Sequence, residues 1–166
     1  VERVMREGMR SVAPVIPTIG EHTFGSGGKR VRPVMVLLAA RLCGYRGPRA
    51  IQIAAAAEYL HSASLLHDDV VDGAETRRGR PSVNARFGSR LAILVGDFLY
   101  ARTCQTLVED GDADILAAFA ESIRAMADDC AMLYVSGGGG NSATESQVLS
   151  RMETAICAPL RDGTGP

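Results

Sequence analysis

Three aspartates, Asp68, Asp69 and Asp72, stand at the end of a long apolar run. On a helix, Asp68 and Asp72 share a face because they lie four residues apart, whereas Asp69 projects about 100° away. Carboxylates this close repel each other, and at a helix C-terminus they also face the negative end of the helix dipole. A bound cation reverses this repulsion, and Mg²⁺ prefers oxygen ligands. The spacing therefore predicts a magnesium site at this cluster of carboxylates.

Basic side chains on both sides of the aspartates are suited to phosphate. Arg77, Arg78 and Arg80 follow in a loop that can fold back toward the carboxylates, and guanidinium groups bind phosphate in bidentate fashion. Upstream, the stretch GGKRVRP places Lys29 and Arg32 at the start of a helix, which is a natural anion site. His61 lies seven residues before Asp68, on the same stripe of its helix. Two cationic clusters beside one metal site predict two phosphorylated groups held close together, separated by an apolar space.

The elements that position these residues are all predicted to be helices. Apolar spacing indicates helices over residues 1–12, 33–44, 49–72, 90–109 and 112–134, and Pro14 and Pro17 interrupt the pattern after the first of them. Residues 73–89 are predicted to be a loop with one helical turn at 82–87. No stretch shows the alternation typical of strands, so the fold class is predicted to be all-α. Residues 1–135 form the helical part.

The remaining residues, 136–166, are Gly-rich and atypical, and they are predicted to be a partly disordered tail. Thr144 and Gln147 are a weak capping box for one short helix within it.

Composition narrows the classes of function. The net charge of −1 and a pI of about 6.3 argue against a nucleic-acid partner. The four cysteines form no CxxC pair, which favours a reducing, cytoplasmic location over a disulfide or thiolate framework. The first residues, VERVMREGMR, are too charged for a secretory signal, and the purely apolar runs fall short of a membrane span, so no transmembrane segment is predicted.

Four stretches in a fixed order carry a resemblance to a known family. GGKRVRP, EYLHSASLLHDDVVD, RRGRPSVN and GDFLYAR resemble the trans-isoprenyl diphosphate synthase (polyprenyl synthetase) family, in its N-terminal half. The match extends from about Gly27 to Arg102. It implies an isoprenoid synthase-type helical bundle around a central cavity, usually dimeric. It also implies the head-to-tail condensation of an allylic diphosphate with isopentenyl diphosphate through an allylic carbocation.

The resemblance assigns the first aspartate-rich motif to the allylic substrate. Asp68, Asp69 and Asp72 would be the catalytic motif, with Asp68 and Asp72 holding Mg²⁺ against the allylic diphosphate. Arg77 would bind the same diphosphate.

The second substrate is assigned to the basic cluster and the residues near it. By the same resemblance, isopentenyl diphosphate would be bound by Lys29, Arg32, His61 and Arg78. Both substrates therefore meet at the end of one apolar helix.

Product length is implied by the residues four and five positions before the first aspartate. In the family these line the space into which the product grows, and large aromatic residues there block elongation. Here they are Ser64 and Ala63, which are small and favour a medium- or long-chain product. Leu60 or the helix around Gly96–Tyr100 could still form a floor that stops growth.

The second half of the family pattern is missing. Relatives are longer and carry a second aspartate-rich motif that completes the metal site, and the pair Asp128-Asp129 does not match it and is predicted to face solvent. The 166-residue chain is therefore predicted to be an incomplete synthase that is weakly active or inactive.

Two other functions remain open. One is a non-catalytic partner subunit that tunes product length in a heteromeric prenyl synthase; such subunits commonly lack the aspartate motif, which this chain retains. The other is a metal-dependent phosphohydrolase of the HD type, using His67 and Asp68 as ligands. This second alternative leaves the arginine and GGKR clusters unexplained.

Overall fold

The computed structural model describes residues 1–25 and 27–136, the last eight of them by their backbone alone. The described helices, in chain order, are α1 (Glu2–Gly8), α2 (Val15–Phe24), α3 (Val31–Leu42), α4 (Arg49–Val71), α5 (Val83–Phe87), α6 (Ser89–Asp110) and α7 (Ala113–Ser136). Two short antiparallel strands, β1 (Thr76–Arg77) and β2 (Arg80–Pro81), form a hairpin between α4 and α5, with Thr76 opposite Pro81. The predicted all-α class is confirmed.

The central element is α4, which the other helices cover on several sides. Its middle, Ala54–Ala57, has almost no exposed surface, because small side chains let neighbouring helices approach closely. Pro48 precedes the helix, and Gly73, with a φ of +61°, follows its last residues. That φ is easily adopted by glycine, which explains why the helix stops there.

Two hydrophobic cores lie on opposite sides of α4. The first joins α1, α2, α4 and α6 through Met5, Ile19, Tyr59 and Leu99. The second joins α3, α4, α6 and α7, with Phe119 of α7 only 1% exposed. Helix α4 thus forms part of both cores.

Two local structures differ from the sequence predictions. The sequence pattern predicts that Pro17 interrupts the helix, but it lies in the first turn of α2, where a missing N–H removes no intrahelical hydrogen bond. The loop predicted over 73–89 contains the β1–β2 hairpin, and Ser82 caps α5 by accepting a hydrogen bond from Ala85 N at 2.9 Å. The expected helical turn at 82–87 is α5.

An ion-pair network ties the start of α4 to the turn between α6 and α7. Arg49 donates from Nε and Nη2 to the two carboxylate oxygens of Asp110, both at 2.7 Å, and from Nη2 to Asp112 at 3.2 Å. These hydrogen bonds raise the pKa of the Arg49 guanidinium. The network lies at the end of α4 opposite to the aspartates.

Among the described residues, α6 is the one helix whose length and apolar composition would suffice to cross a membrane. Core helices of soluble proteins satisfy the same criterion. In this fold α6 places Ala92, Val95 and Leu99 against the first core.

The predictions for residues 137–166, including the short helix over 144–156 and the disordered end, lie outside the described residues. The predicted boundary at residue 135 falls inside α7, whose backbone continues to Ser136.

Candidate active site

A cleft lies between α2, the second half of α4 and the β1–β2 hairpin. It encloses about 630 Å³, including the part that is open to solvent. Of the residues singled out in the sequence, its lining contains His61, Asp69, Arg77 and Arg78, with Leu65, Leu66 and Val83 as the apolar wall. Lys29, Arg32, Asp68 and Asp72 lie outside this lining. The polar and charged lining residues are His22, Thr23, Arg30, Glu58, His61, Ser62, Asp69, Arg77, Arg78, Arg80 and Ser82.

The three aspartates have three different environments at the end of α4. Asp69 is buried, at 2% exposure, whereas Asp68 is half-buried and Asp72 is exposed at the C-terminal cap. The expected division between Asp69 and the other two therefore appears as a difference in burial.

Asp69 is held by Arg77 in a fork of hydrogen bonds. Nε of Arg77 donates to both carboxylate oxygens of Asp69, at 2.8 and 3.0 Å, and Nη2 donates to Oδ1 at 2.6 Å. The same Nη2 lies 3.7 Å from Asp68 Oδ2. Hydrogen bonding to Asp69, supplemented by the charges of Asp68 and Asp72, raises the pKa of Arg77. Arg77 thus links the buried carboxylate to the two that face outward.

The hairpin presents two successive arginines to the cleft. Arg78 and Gly79 occupy its turn, both with positive φ (54° and 74°), which reverses the chain between Arg77 and Arg80. Ser82 fixes the base of the hairpin, because its Oγ donates to Ala74 O at 2.6 Å.

The second basic cluster faces the hairpin from the start of α3. Arg78 Nη1 donates to Gly27 O at 3.4 Å, which joins the turn of the hairpin to the GGKR segment. Gly28 lies so close that a Cβ there would stand 3.1 Å from Arg78 Nη1. Lys29 is exposed and Arg32 is half-buried at the first turn of α3.

His61 lies in the cleft among the arginines. Burial, together with the positive charges of Arg32, Arg78 and Arg77, lowers the pKa of His61 to about 3. His61 is therefore neutral near pH 7, and its ring can donate a hydrogen bond from one nitrogen while accepting at the other. The structure thus brings together His61, Arg77 and Arg78, with Arg32 near enough to act on the same imidazole.

The donor set fits a magnesium ion in part. Among the described residues, no three His, Cys, Asp or Glu side chains converge on one point that could hold a metal. Mg²⁺, however, is commonly bound by one or two carboxylates together with substrate phosphates and water. Asp68 and Asp72, neither of them buried, supply hard oxygen donors of this kind. The residues present therefore fit a metal that is completed by a substrate.

The proposed length-determining residues lie apart from the cleft lining. Ala63 has no exposed surface and packs in the first core. Ser64 is half-buried, and its Oγ donates to His61 O at 2.8 Å. Their predicted role in product length stays a prediction.

Several lining residues had not been predicted from the sequence. His22 and Thr23 come from α2, which the pattern did not indicate, and Arg30 and Glu58 form an ion pair at 3.1 Å. The sequence signal for Arg30 was its place between Lys29 and Arg32. Glu58 was detectable as the single acid in the apolar middle of α4.

The HD-type alternative has little support from the geometry. His67 points away from the aspartate cluster, with Nε2 3.2 Å from Ile93 O and 3.4 Å from Asp97 Oδ1. The predicted exposure of the Asp128-Asp129 pair is confirmed for Asp128, which is exposed and paired with Arg124.

Comparisons with known proteins agree on one family. The family described as polyprenyl synthetase matches residues 13–134. Octaprenyl diphosphate synthase of Escherichia coli (strain K12) is 40% identical over 128 residues, which are 77% of this chain and 40% of that protein. Heptaprenyl diphosphate synthase component 2 of Geobacillus stearothermophilus is 43% identical over 117 residues, 69% of this chain and 37% of that protein.

Solved structures give the same fold. The polyprenyl synthase of Caulobacter crescentus CB15, crystallised with calcium and isoprenyl diphosphate, matches with a TM-score of 0.84 and 33% identity over 99% of this chain and 52% of its own. The decaprenyl diphosphate synthase of Rhodobacter capsulatus matches with a TM-score of 0.79 and 36% identity, covering 97% of this chain and 50% of its own. This chain spans about two fifths of the length of the curated relatives and half of these structures. It belongs to the polyprenyl synthetase family.

Proposed function

We propose that this chain carries the substrate-binding half of a prenyltransferase that condenses an allylic diphosphate with isopentenyl diphosphate. The observation that carries this proposal is the cleft in which His61 and Asp69 meet Arg77 and Arg78, with the GGKR segment joined to it through Arg78, in a chain of the polyprenyl synthetase family. The names of the relatives, octaprenyl and heptaprenyl diphosphate synthases, support a medium- or long-chain product.

The allylic diphosphate would be bound at the aspartate end of α4. Asp68 and Asp72 would hold Mg²⁺, which when bound would neutralise the diphosphate and favour its departure. Arg77 would bind the same group, and its fork to Asp69 fixes the guanidinium before substrate arrives. The carbon–oxygen bond of the allylic substrate then breaks, and the diphosphate keeps the electron pair.

Isopentenyl diphosphate would be bound by Lys29, Arg32, Arg78 and His61. The neutral imidazole donates a hydrogen bond while the cations supply charge, and the oriented double bond then attacks the allylic carbon. Loss of a proton from the new chain ends the cycle. The apolar side chains of Leu65 and Leu66 help exclude water from the cation.

The 166-residue chain alone is proposed to turn over weakly or not at all, because the carboxylates of its described residues form only part of a metal site. The test adds Mg²⁺, an allylic diphosphate and radiolabelled isopentenyl diphosphate to the purified chain, and then adds the second half of a family member as a separate polypeptide. Label should enter prenyl product only after the addition, and chelation of the metal should abolish it. Robust turnover by the chain alone would contradict the incompleteness.

Direct binding separates the function from turnover. Titration calorimetry with isopentenyl diphosphate should give binding to the wild-type chain that weakens about tenfold in Arg32→Gln, since one charge-assisted contact is lost. Arg46→Gln, at an exposed arginine in the turn before α4, is the matched control and should bind as the wild type does. Absence of binding by the wild type would contradict the proposed function.

A second candidate is a subunit of a heteromeric synthase. It is favoured by the relative named component 2 of heptaprenyl diphosphate synthase and by exposed apolar side chains on α3, where Leu38 and Leu42 are 55% and 88% exposed. Activity that appears only when a full-length synthase is added, and that survives Asp68→Asn with Asp72→Asn, would support this role over the catalytic one.

Assembly and location complete the proposal. We propose a homodimer for the full-length form and a cytoplasmic location, supported by the exposed apolar side chains of α3 and by four cysteines that form no CxxC pair. Light scattering on a full-length form and fractionation of cells test the two statements.

A further inference from the structure

Arg30 lies in the cleft, but its guanidinium is bound by the protein itself. Nη1 donates to Glu58 Oε1 at 3.1 Å, Nη2 to Phe24 O at 2.7 Å and Nε to Glu2 Oε1 at 3.4 Å. The guanidinium carbon also lies 5.9 Å from the centre of the Phe24 ring. All three nitrogens therefore have acceptors, so the geometry suits a structural tie better than a ligand for phosphate.

The backbone of Arg30 has an unfavourable conformation. Its φ of 46° and ψ of 41° lie in the left-handed region, which residues other than glycine and asparagine rarely adopt. Such a conformation persists only where surrounding contacts enforce it. Here the buried contact is with Glu58, since the Arg30 and Glu58 side chains are only 14% and 9% exposed.

This turn determines how the basic cluster is presented. Arg30 is the N-terminal cap of α3, and its carbonyl accepts the hydrogen bond of Val34 N at 3.0 Å. Lys29 precedes the turn and Arg32 follows it, so the directions in which these two side chains extend depend on the Arg30 backbone. A Cβ at Gly28 would lie 3.2 Å from Arg30 Nη1, so the loop passes directly over the tie.

We propose that Glu58 and Arg30 are positioning residues for isopentenyl diphosphate: their buried ion pair fixes the Gly27–Arg30 segment so that Lys29 and Arg32 face His61 and Arg78. The inference rests on the proposed function of that cluster. Glu58 acts from inside α4, three residues before His61, so one helix sets both the imidazole and the loop opposite it. The pair contacts no substrate and acts through its neighbours.

The test compares two arginine–carboxylate pairs, each of which has one residue on α4. Glu58→Gln keeps the shape of the side chain but removes the charge that holds Arg30, and calorimetry should show isopentenyl diphosphate binding about tenfold more weakly. Affinity for an allylic diphosphate should change less than about twofold, since Arg77 is held by Asp69. Asp110→Asn weakens the Arg49 pair at the far end of α4. It should lower the melting temperature about as much as Glu58→Gln does, but it should leave the affinities for both diphosphates unchanged.

Three results separate the possible failures. Equal affinity in the wild type and Glu58→Gln would overturn the positioning role alone, and so would an equal loss of affinity in Asp110→Asn. No binding by the wild type would instead overturn the proposed function and, with it, any role in placing that substrate.

Hydrogen exchange tests the tie without any ligand. Amides of residues 27–32 should exchange about tenfold faster in Glu58→Gln than in the wild type, while amides near Arg49 stay unchanged. Arg30→Lys keeps the positive charge, but a lysine lacks the planar guanidinium that reaches all three acceptors. This variant should therefore also raise the exchange rates of residues 27–32. Unchanged exchange in both variants would overturn the proposal.

Discussion

The histidine among the arginines should make the stability of the protein depend on pH. The pKa of His61 is lowered to about 3, so the folded protein excludes a proton that the unfolded chain binds below its ordinary value of 6.5. The contribution of this neutral group is complete above about pH 6.5 and is lost as the pH falls toward 3. Between about pH 8 and pH 5 we expect a loss of about 2 kcal/mol, measured by urea unfolding.

The glutamine variant isolates this effect. His61→Gln cannot take up a proton, so the pH dependence over the same interval should flatten by about the same amount. An identical pH profile in the wild type and His61→Gln would show that another group is responsible.

The aspartates should differ in their contribution to stability, with a large contribution from buried Asp69 and small ones from Asp68 and Asp72. Asp69→Asn leaves Arg77 without its charged partner in a half-buried place, and we expect a loss of about 3 kcal/mol in the free energy of unfolding. Asp68→Asn is the matched change on a half-buried neighbour and should cost less than about 1 kcal/mol. Urea unfolding of both variants measures the difference, and equal losses would contradict it.

At the scale of the element, one close contact fixes the distance between α4 and α6. A Cβ at Gly96 would lie 2.2 Å from His67 Nε2 and 2.5 Å from Cδ2, so the two helices meet through a glycine and an imidazole. By helix propensity alone, Gly96→Ala would stabilise the protein by about 1 kcal/mol. The clash should reverse that sign and destabilise it by about 1–3 kcal/mol.

A second substitution checks the cause. In His67→Ala with Gly96→Ala the obstructing ring is gone, and thermal unfolding should show the double variant more stable than the sum of the two single changes implies. Additive losses would mean that Gly96 is required for another reason.

The long helices were predictable because their apolar spacing extends over many turns, and α4, α6 and α7 begin and end within a few residues of the expected positions. The α2 helix was not predictable, because Pro14 and Pro17 stand near its start and proline usually breaks a helix. A proline in the first turn, however, costs little. The hairpin was missed because two-residue strands are too short to show alternation.

The candidate site shows the same division. Residue type and order indicated that carboxylates and arginines lie together at the end of α4, and His61, Asp69, Arg77 and Arg78 do line one cleft there. The pairing of Arg77 with Asp69 depends on the turn at Arg78, and the tie of Arg30 to Glu58 depends on a left-handed backbone. Such tertiary geometry leaves no periodic trace in the sequence.

At the scale of the whole molecule, the described helices enclose two hydrophobic cores. Both are formed by these helices themselves, with side chains such as Tyr59 and Phe119 almost fully buried. We therefore expect the 166-residue chain to fold cooperatively without a second half. Helical circular dichroism and tyrosine fluorescence should lose their signals at the same urea concentration. Transitions that do not coincide would contradict independent folding.

The two ends of α4 differ in when a growing chain can complete them. Asp69 finds Arg77 only eight residues further along, whereas Arg49 must wait for Asp110, 61 residues later. During synthesis the cleft end can close almost as soon as it leaves the ribosome, while the opposite end stays untied until α6 has been made. Slowing translation once Ser82 has emerged from the ribosome, and before Asp110 does, should therefore leave the cleft formed on a nascent chain whose second core is still open.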